Sequence, residues 1–404
     1  MTTTLFHNCN LFTGTKNEVT PDAWFTVDDD TGRLTALGTG NQHGEADHVV
    51  DLQGQYVMPG LVDAHTHMMM DALTNKLYYL TETEVTLQAL ENLRSALRAG
   101  VTYVRDCGAA FDVDIKLNKY RAKHPFVGPE ILPSGRPMSM TGGHGDFTEG
   151  EHGETTWGYL VDSPEEMRHA VRLAFKEGAK NIKVMSTGGI MSATDQVDDT
   201  ELSLEELTMA VKEAHSKHMT VAAHAEGAKG IHNAIVAGVD SVEHGCYLRP
   251  EDVELMKEKG TYLTPTLIAG YTIPKFGQGK LPQYMLDKAE AFLDDFDDFF
   301  ENVGRALQAG VNLAFGTDSG TPFNEFKDAP LELGLMVKAG ATNYQALHAA
   351  GLGSATLLRV DKDYGSLEEG KFADFLVLKE NPLADVSAVQ QVDKKVYQHG
   401  QQKF

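Results

Sequence analysis

The middle of the chain, from residue 58 to residue 357, repeats one pattern of apolar and polar positions. Apolar residues first recur at helical spacing, the segment then reaches a small residue or glycine, and a short apolar run follows at once. These runs lie at 60–65, 98–106, 129–134, 177–185, 218–224, 237–244, 259–266 and 309–318. Eight strand–helix units in one stretch predict an α/β fold of the (β/α)8 TIM-barrel type. A doubly wound open sheet is the alternative, but no GxGxxG turn follows the first run.

Both ends of the chain have a different sequence pattern, in which short apolar runs are separated by turn residues. At the N-terminal end these runs lie at 5–11, 24–27, 34–37 and 49–52, and the segment DDDTG at 28–32 is a hairpin signal. At the other end, residues 372–378 and 394–399 have the pattern of two more strands. We therefore predict one small β-sandwich domain built from residues 1–57 and 358–404, beside a barrel of residues 58–357.

Two long insertions interrupt the barrel pattern. One is the glycine-rich segment that follows the third strand and runs from Thr141 to Trp157. The other spans residues 267–305 and contains a helical run from about Gln283 to Ala306. Loops after barrel strands rise from the carboxyl-terminal face, where barrel enzymes bind their substrates. Both insertions are therefore expected beside a functional site.

Side chains that can bind metal ions lie at or near the carboxyl ends of five predicted strands, namely His65, His67, Lys183, His224, His244 and Asp318. Residues two apart in a strand share a face, so the two histidines of the HTH segment can share one ion. Imidazole and carboxylate groups suit zinc and similar metals. Taken singly, a strand-end histidine is more often structural, and Asp318 could cap the next helix. Their coincidence on one barrel face instead predicts a metal centre.

Lys183 lies within the apolar run IKVM, on the face opposite to Ile182 and Val184, and is expected to point into the barrel. A buried ammonium group is costly and would repel metal ions. If the amine reacted with carbon dioxide, the resulting carbamate would carry a negative charge and two oxygens, which are enough to bridge two metals. The alternative is a lysine whose amine reaches the surface.

Composition narrows the class of protein. A formal net charge of −23 argues against a nucleic acid as partner, because nucleic-acid-binding surfaces are basic. The three cysteines are widely spaced without a CxxC motif, which argues against a disulfide framework. There is no signal-peptide pattern at the N-terminal end and no uncharged apolar stretch of about 18 residues. We expect a soluble, cytoplasmic protein that does not bind membranes.

Two segments resemble the amidohydrolase superfamily. Residues 57–67 read VMPGLVDAHTH and are similar to the signature on the first barrel strand of that superfamily. Residues 365–378 read GSLEEGKFADFLVL and are similar to the segment that returns from the barrel to the β-sandwich. The resemblance extends over essentially the whole chain. It implies a metal-dependent hydrolase that cleaves carbon–nitrogen bonds in amides or peptides.

The resemblance also implies a site for two divalent metal ions, which we expect to be zinc. His65, His67 and Asp318 would hold the more buried ion. The more exposed ion would lie on His224 and His244, with Lys183, carboxylated by carbon dioxide, as the bridge. Asp318 would also take a proton from the attacking water and pass it to the leaving amine.

Further residues are candidates for contacts with the substrate. His144 and Tyr247 would donate hydrogen bonds to the substrate carbonyl or carboxylate, although a solvated histidine and a packed tyrosine are the alternatives. Glu226 and Asp146 are weaker candidates for binding a substrate amine. The loop at 146–154 reads DFTEGEHGE and lacks the arginine that we expected for a substrate carboxylate. Its acidic residues fit a cationic substrate side chain, or simply a solvated loop.

Within the superfamily, residues 182–189, 141–146 and 244–248 resemble the imidazolonepropionase-related group, which includes prolidase-like dipeptidases and carboxypeptidases. We therefore expect a substrate that is a dipeptide or a small N-acyl amino acid. Hydrolysis of a cyclic amide of the imidazolone type, or of a lactone, is the alternative, and Lys183 counts against it. A non-catalytic scaffold is a third possibility, against which the complete ligand set argues. A homo-oligomer is common in the superfamily.

Overall fold

The computed structural model describes residues 2–40, 44–73, 81–147, 157–294 and 296–404. Most of the acidic loop, residues 148–156, therefore lies outside the described residues. The strands are β1 (Thr3–Leu11), β2 (Thr20–Asp28), β3 (Arg33–Thr39), β4 (His48–Asp51), β5 (Tyr56–Pro59), β6 (Leu61–Thr66), β7 (Val101–Asp106), β8 (Glu130–Leu132), β9 (Met138–Ser139), β10 (Tyr159–Leu160), β11 (Asn181–Met185), β12 (Thr220–Ala225), β13 (Ser241–His244), β14 (Tyr262–Thr264), β15 (Phe375–Leu378), β16 (Lys395–Gln398) and β17 (Gln401–Gln402).

The helices are α1 (Glu82–Ala99), α2 (Val113–Arg121), α3 (Pro164–Glu177), α4 (Leu204–His215), α5 (Ala228–Ala237), α6 (Pro250–Lys259), α7 (Leu267–Phe276), α8 (Gln283–Asp294), α9 (Phe296–Ala309), α10 (Leu331–Lys338), α11 (Asn343–His348) and α12 (Ser354–Leu357). Within the described ranges, no helix combines the length and the apolar character needed to cross a membrane. The three cysteines are buried and, among the described residues, form no disulfide.

Parallel strands from the middle of the chain close into a barrel. β6, β7 and β8 pair in that order, and β11, β12, β13 and β14 pair in that order. A backbone hydrogen bond from Lys180 to Pro133 joins the β8 side to the β11 side. Residues 312–319 close the ring by bridging to Leu263 in β14 and to Thr66 in β6. The predicted (β/α)8 barrel is thereby confirmed.

Two details differ from the pattern of the sequence. Among the described residues, the eighth barrel segment makes isolated bridges and no continuous ladder. After β8, the short strands β9 and β10 precede the next helix, α3. The run predicted as helical from Gln283 to Ala306 is helical over its described residues, which belong to α8 and α9.

Local signals set the ends of the barrel helices. Thr81 and Ser203 form capping boxes with Glu84 and Glu206 at the starts of α1 and α4. α1, α3, α5 and α6 each end at a glycine with positive φ. The strands that follow these helices pair in parallel with their neighbours in the barrel. Their carboxyl ends, with the predicted ligands, therefore meet at one face of the barrel.

Both chain ends contribute to one sheet beside the barrel. Among the described residues it has eight strands, in the order β17-β16-β15-β5-β1-β2-β3, with β4 beside β1. The rings of Phe6, Phe25, Phe375 and Tyr397 pack with centroid separations of 4.3–5.4 Å, so both ends share one apolar core. β5, which the pattern did not predict, lies between β1 and β15 and leads directly into β6. The domain boundaries at 57 and 358 stay a prediction.

Candidate metal centre and active site

The predicted ligand residues lie together at the carboxyl-terminal face of the barrel. All six are buried, namely His65, His67, Lys183, His224, His244 and Asp318. Five of them line one cleft. The remaining residue, His65, lies directly behind and contacts both Lys183 and Asp318. Residues from five different strand ends thus share one small volume.

His65, His67 and Asp318 form the first set of ligand atoms. Asp318 Oδ1 lies 3.3 Å from Nε2 of His65 and 3.3 Å from Nε2 of His67. Their ligand atoms all lie within 4.8 Å of one another. Lys183 Nζ lies 3.2 Å from His65 Nε2, so a group carried by this lysine faces the same set.

His224 and His244 form the second set, together with Glu226. The ligand atoms of these three residues also lie within 4.8 Å of one another. The rings of His224 and His244 have centroids 4.7 Å apart, and the His244 ring lies 5.1 Å from that of His65. The two sets are therefore adjacent, as two ions that share one bridging group require.

Each of the four histidine rings has one nitrogen held by a protein partner. The contacts are His65 Nδ1 with Glu243 Oε2 (2.7 Å), His67 Nδ1 with Gly108 O (3.1 Å), His224 Nε2 with Gly188 O (3.0 Å) and His244 Nδ1 with Thr266 Oγ1 (2.6 Å). Such a partner fixes the orientation of the ring and leaves the other nitrogen for a metal ion. The donor types and their partners thus fit divalent ions such as zinc.

Burial sets the charge of these groups. It lowers the pKa of His67 to about 3, and it lowers the pKa values of His65, His224 and His244 well below the usual value. Imidazole must be neutral to bind a metal ion, so the rings are in the required form near neutral pH. Burial also raises the pKa of Asp318 to about 7. A cation bound beside this carboxylate would lower the pKa of Asp318.

Backbone strain marks the same strand ends. His244, Thr266 and Asp318 adopt φ values of 69°, 48° and 57°, in the left-handed region. Histidine and aspartate tolerate this region better than a β-branched threonine does. The Thr266 hydroxyl nevertheless lies 2.6 Å from His244 Nδ1. Strain of this kind is typical of functional sites, and here it accompanies the contact between the Thr266 hydroxyl and the His244 ring.

An apolar cleft leads to these residues. Its volume is about 670 Å³ including the open mouth. The apolar part of its wall consists mainly of Met70, Phe147, Trp157, Met185, Ile190, Met191, Ile273 and Phe299. Two of these residues come from each insertion, so both insertions lie beside the site, as expected. A mostly apolar cleft with a few polar groups at its floor is the usual form of a small-molecule site.

His144 also lines the cleft, and a network that the sequence did not reveal holds its ring. The ring stacks on His224 with centroids 4.5 Å apart, and its Nδ1 lies 3.0 Å from Asp195 Oδ2. Lys288 of α8 donates to Asp195 Oδ1 at 2.9 Å and to Gly189 O at 2.9 Å. A Cβ added to Gly189 would lie 2.5 Å from the His144 ring. The ring is thus fixed from several segments at once.

The other candidate residues have different positions. Glu226 lines the cleft, and burial raises the pKa of Glu226 to about 8. Tyr247 lines a neighbouring groove together with Lys288. Asp146 accepts a hydrogen bond from Gly142 N at 2.8 Å and is not among the described residues that line the cleft. Contacts of Tyr247 and Asp146 with a substrate stay predictions.

A buried ion pair that sequence reasoning missed supports His65. Glu243 accepts a hydrogen bond from Arg105 Nη2 at 2.8 Å through Oε1, while Oε2 contacts His65 Nδ1 at 2.7 Å. Both side chains of the ion pair are fully buried. The sequence does carry a signal for this pair, because a charged residue inside an apolar strand needs a partner. β7 and β13 contain such residues of opposite sign.

Known proteins resemble this chain over most of its length. The amidohydrolase family matches residues 56–401. Ochratoxinase from Aspergillus niger is 34% identical over 365 residues, which are 83% of this chain and 72% of that protein. Among solved structures, a Xaa-Pro dipeptidase with methionine bound in its active site has a TM-score of 0.91 at 30% identity, and the match covers 99% of both chains. A prolidase complexed with N-methylphosphonate-L-proline has a TM-score of 0.90 at 28% identity, again over 99% of both chains.

The matched range begins at β5 and contains every strand of the barrel. It therefore includes both sets of ligand atoms and the cleft above them. The resemblance inferred from residues 57–67 and 365–378 is confirmed. The chain belongs to the amidohydrolase family and is a metal-dependent hydrolase.

Proposed function

We propose that the protein is a prolidase-like dipeptidase or carboxypeptidase that hydrolyses the amide bond of a dipeptide or small N-acyl amino acid. The observation that carries this proposal is the group of four buried imidazoles beside Lys183 and Asp318 at the floor of an apolar cleft. The relatives support amide bonds as the target, because they include a Xaa-Pro dipeptidase, a prolidase and ochratoxinase, an amide hydrolase.

The two donor sets support a site for two divalent ions, for which zinc is the expected metal. His65, His67 and Asp318 would hold one ion, and His224 and His244 would hold the other. Lys183, carboxylated by carbon dioxide, would place an anionic group between the sets, which removes the cost of a buried ammonium. When bound, such ions lower the pKa of a water molecule and polarise a carbonyl group.

The side chains of the cleft would do the remaining chemistry. Asp318 would accept the proton of the attacking water and deliver it to the amide nitrogen as that nitrogen leaves. His144 would donate a hydrogen bond to the carbonyl oxygen, where negative charge develops. The apolar walls would receive the substrate side chain and exclude bulk water. Tyr247 remains a candidate for the substrate carboxylate and would have to reach it from the neighbouring groove.

Metal content and a substrate panel test the proposal directly. We expect about two divalent ions per chain by elemental analysis, as the two donor sets require. We also expect turnover of a subset of Xaa-Pro, Xaa-Arg, Xaa-Lys, hydrophobic dipeptides and N-acetyl amino acids. Turnover only of cyclic amides or lactones would overturn the peptidase proposal. If the protein binds no metal after reconstitution with zinc and bicarbonate, the result would favour the alternative of a non-catalytic scaffold protein.

The network around His144 leads to a second prediction. Asp195→Asn removes the negative charge that His144 Nδ1 and Lys288 Nζ share, so the ring loses its fixed orientation. We expect kcat to fall by about 10²-fold, as for the loss of one donor to a developing oxyanion. Steady-state kinetics on the best dipeptide measure this effect, with metal content as a second readout. Asp287→Asn is the matched control, because Asp287 is an exposed neighbour of Lys288 in α8 and lines neither the cleft nor the groove beside Tyr247. Unchanged kcat in Asp195→Asn would show that His144 needs no such support.

A further inference from the structure

Glu226 is a buried carboxylate with an unused oxygen inside the cleft. Glu226 is only 7% exposed. Among the described residues, its Oε2 is buried and has no hydrogen-bond partner. The backbone of the same residue is fully engaged, since its N–H donates to Thr187 Oγ1 at 3.0 Å and its carbonyl accepts from Tyr247 N at 3.0 Å. A carboxylate that is buried and only partly satisfied is costly unless a ligand completes its contacts.

The charges of the cleft favour a cation as that ligand. Of the described residues that line the cleft, Lys183 alone carries an amine, and there is no arginine among them. The carboxylates of Glu226 and Asp318 face the same space. Asp195, which lies nearby, is already paired with Lys288 at 2.9 Å. A substrate ammonium would therefore meet a carboxylate oxygen without a hydrogen-bond partner in a largely apolar cleft, where such a contact is stronger than in bulk water.

Covalent geometry places the ammonium of a peptide close to the reacting bond. In an unblocked dipeptide, the amino group is bonded to the carbon next to the scissile carbonyl, so its nitrogen lies about 3 Å from the carbonyl oxygen. The ligand atoms of Glu226, His224 and His244 lie within 4.8 Å of one another. A substrate whose carbonyl reaches these histidines thus brings its ammonium to Glu226.

We propose that Glu226 is the subsite for the free α-ammonium of the substrate, so that the substrates are dipeptides with an unblocked N-terminus. This inference rests on the proposed function and narrows it, because N-acyl amino acids and cyclic amides lack this cation. Glu226 then determines which substrates are accepted, because it contacts the substrate ammonium. Asp318 keeps its proposed role of transferring the proton to the leaving amine.

The test compares substrates that differ only in the ammonium. For the best Xaa-Pro dipeptide and its N-acetyl form, we expect wild-type kcat/KM to favour the free dipeptide by at least about 10-fold. Glu226→Gln keeps the size of the side chain and replaces the carboxyl group, which would pair with the ammonium, by a neutral amide. The preference is expected to fall by about 10-fold or more, chiefly through a higher KM for the free dipeptide, with metal content unchanged. Glu205→Gln is the matched control, because it makes the same substitution on an exposed glutamate of α4 that is not among the residues lining the cleft.

Three results would overturn the subsite. The first is a wild-type enzyme that favours the N-acetyl substrate or does not discriminate. The second is an equal loss for both substrates in Glu226→Gln together with lost metal, which would make Glu226 a metal ligand beside His224 and His244. The third is a preference that Glu226→Gln leaves intact.

Binding measurements separate this inference from the proposed function. Leucinamide and N-acetyl-leucinamide differ only in the cationic amine, and calorimetry with these probes needs no turnover. We expect leucinamide to bind more tightly to the wild-type protein, and Glu226→Gln to weaken its binding by about 10-fold or more. If no dipeptide is hydrolysed but this difference holds, the peptidase proposal fails and the ammonium subsite stands. Equal binding of both probes to the wild-type protein would overturn the subsite even if dipeptides are cleaved.

Discussion

Lys183→Ala is expected to lower kcat by more than about 10³-fold and to release the bound metal ions, because the anion that we propose as the bridge between the two donor sets would be lost. Lys183 is only 2% exposed, and its Nζ lies 3.2 Å from His65 Nε2. A loss of 10³-fold corresponds to about 4 kcal/mol of transition-state stabilisation. A bound metal ion that stabilises developing charge contributes a free energy of this size. Steady-state kinetics and elemental analysis of the purified variant measure the two effects.

Chemical rescue makes this prediction specific for a carbamate. Acetate or propionate can enter the space that the missing side chain leaves and replace the anionic group, so part of the activity and metal content should return. Lys180→Ala, which removes an exposed lysine three residues earlier, is the control and should behave as the wild type. Full activity and two ions in Lys183→Ala would remove the lysine from the metal centre. Lost activity with metal retained and no rescue would leave it a role other than bridging.

Glu243→Gln is expected to have the largest effect on stability. The substitution keeps the volume of the side chain but leaves the guanidinium of Arg105 buried without its counter-ion. Removing one partner of a buried ion pair costs about 3–5 kcal/mol. Because His65 Nδ1 also loses its charged partner, the affinity for metal should fall by about 10- to 100-fold. Denaturant unfolding of the metal-free protein measures the first effect, since bound metal would itself stabilise the native state. Metal titration measures the second.

A double variant separates the two effects of Glu243. Arg105→Met combined with Glu243→Met replaces the ion pair by apolar side chains, so much of the stability should return. Metal affinity should stay low, because His65 still lacks its acceptor. Glu82→Gln is the surface control, because the side chains of Glu82 and its partner Lys116 are both about half exposed, and a change below about 1 kcal/mol is expected. If Glu243→Gln unfolds at the wild-type denaturant concentration, the ion pair does not stabilise the barrel.

The sequence alone predicted the barrel because the signals involved are local. Helical periodicity, a glycine cap and a following apolar run are read over short windows, and each predicts one strand–helix unit. The ligand positions follow from the same rule, since a histidine at the carboxyl end of any barrel strand reaches the same face. β5 was missed because its four residues, Tyr56–Pro59, continue into the run that begins β6.

The support of the site depends on contacts between distant segments. His144 and Asp195 are 51 positions apart, Asp195 and Lys288 are 93 apart, and Arg105 and Glu243 are 138 apart. A periodic pattern shows that a charged residue lies in a strand, but the strand register decides which opposite charge it meets. In the sequence, Glu226 and Asp146 are likewise both candidates for binding a substrate amine.

Only the tertiary structure distinguished those two acidic residues. Glu226 follows a barrel strand directly, so the fixed direction of β12 carries its side chain into the cleft. Asp146 lies in an insertion whose path no local pattern determines, and a hydrogen bond from Gly142 N holds its carboxylate there. Sequence periodicity thus determined the barrel and the face that carries the ligands. Packing between segments far apart in the chain decided how the ligands are oriented and which carboxylate a substrate meets, because side-chain contacts depend on strand register and loop path.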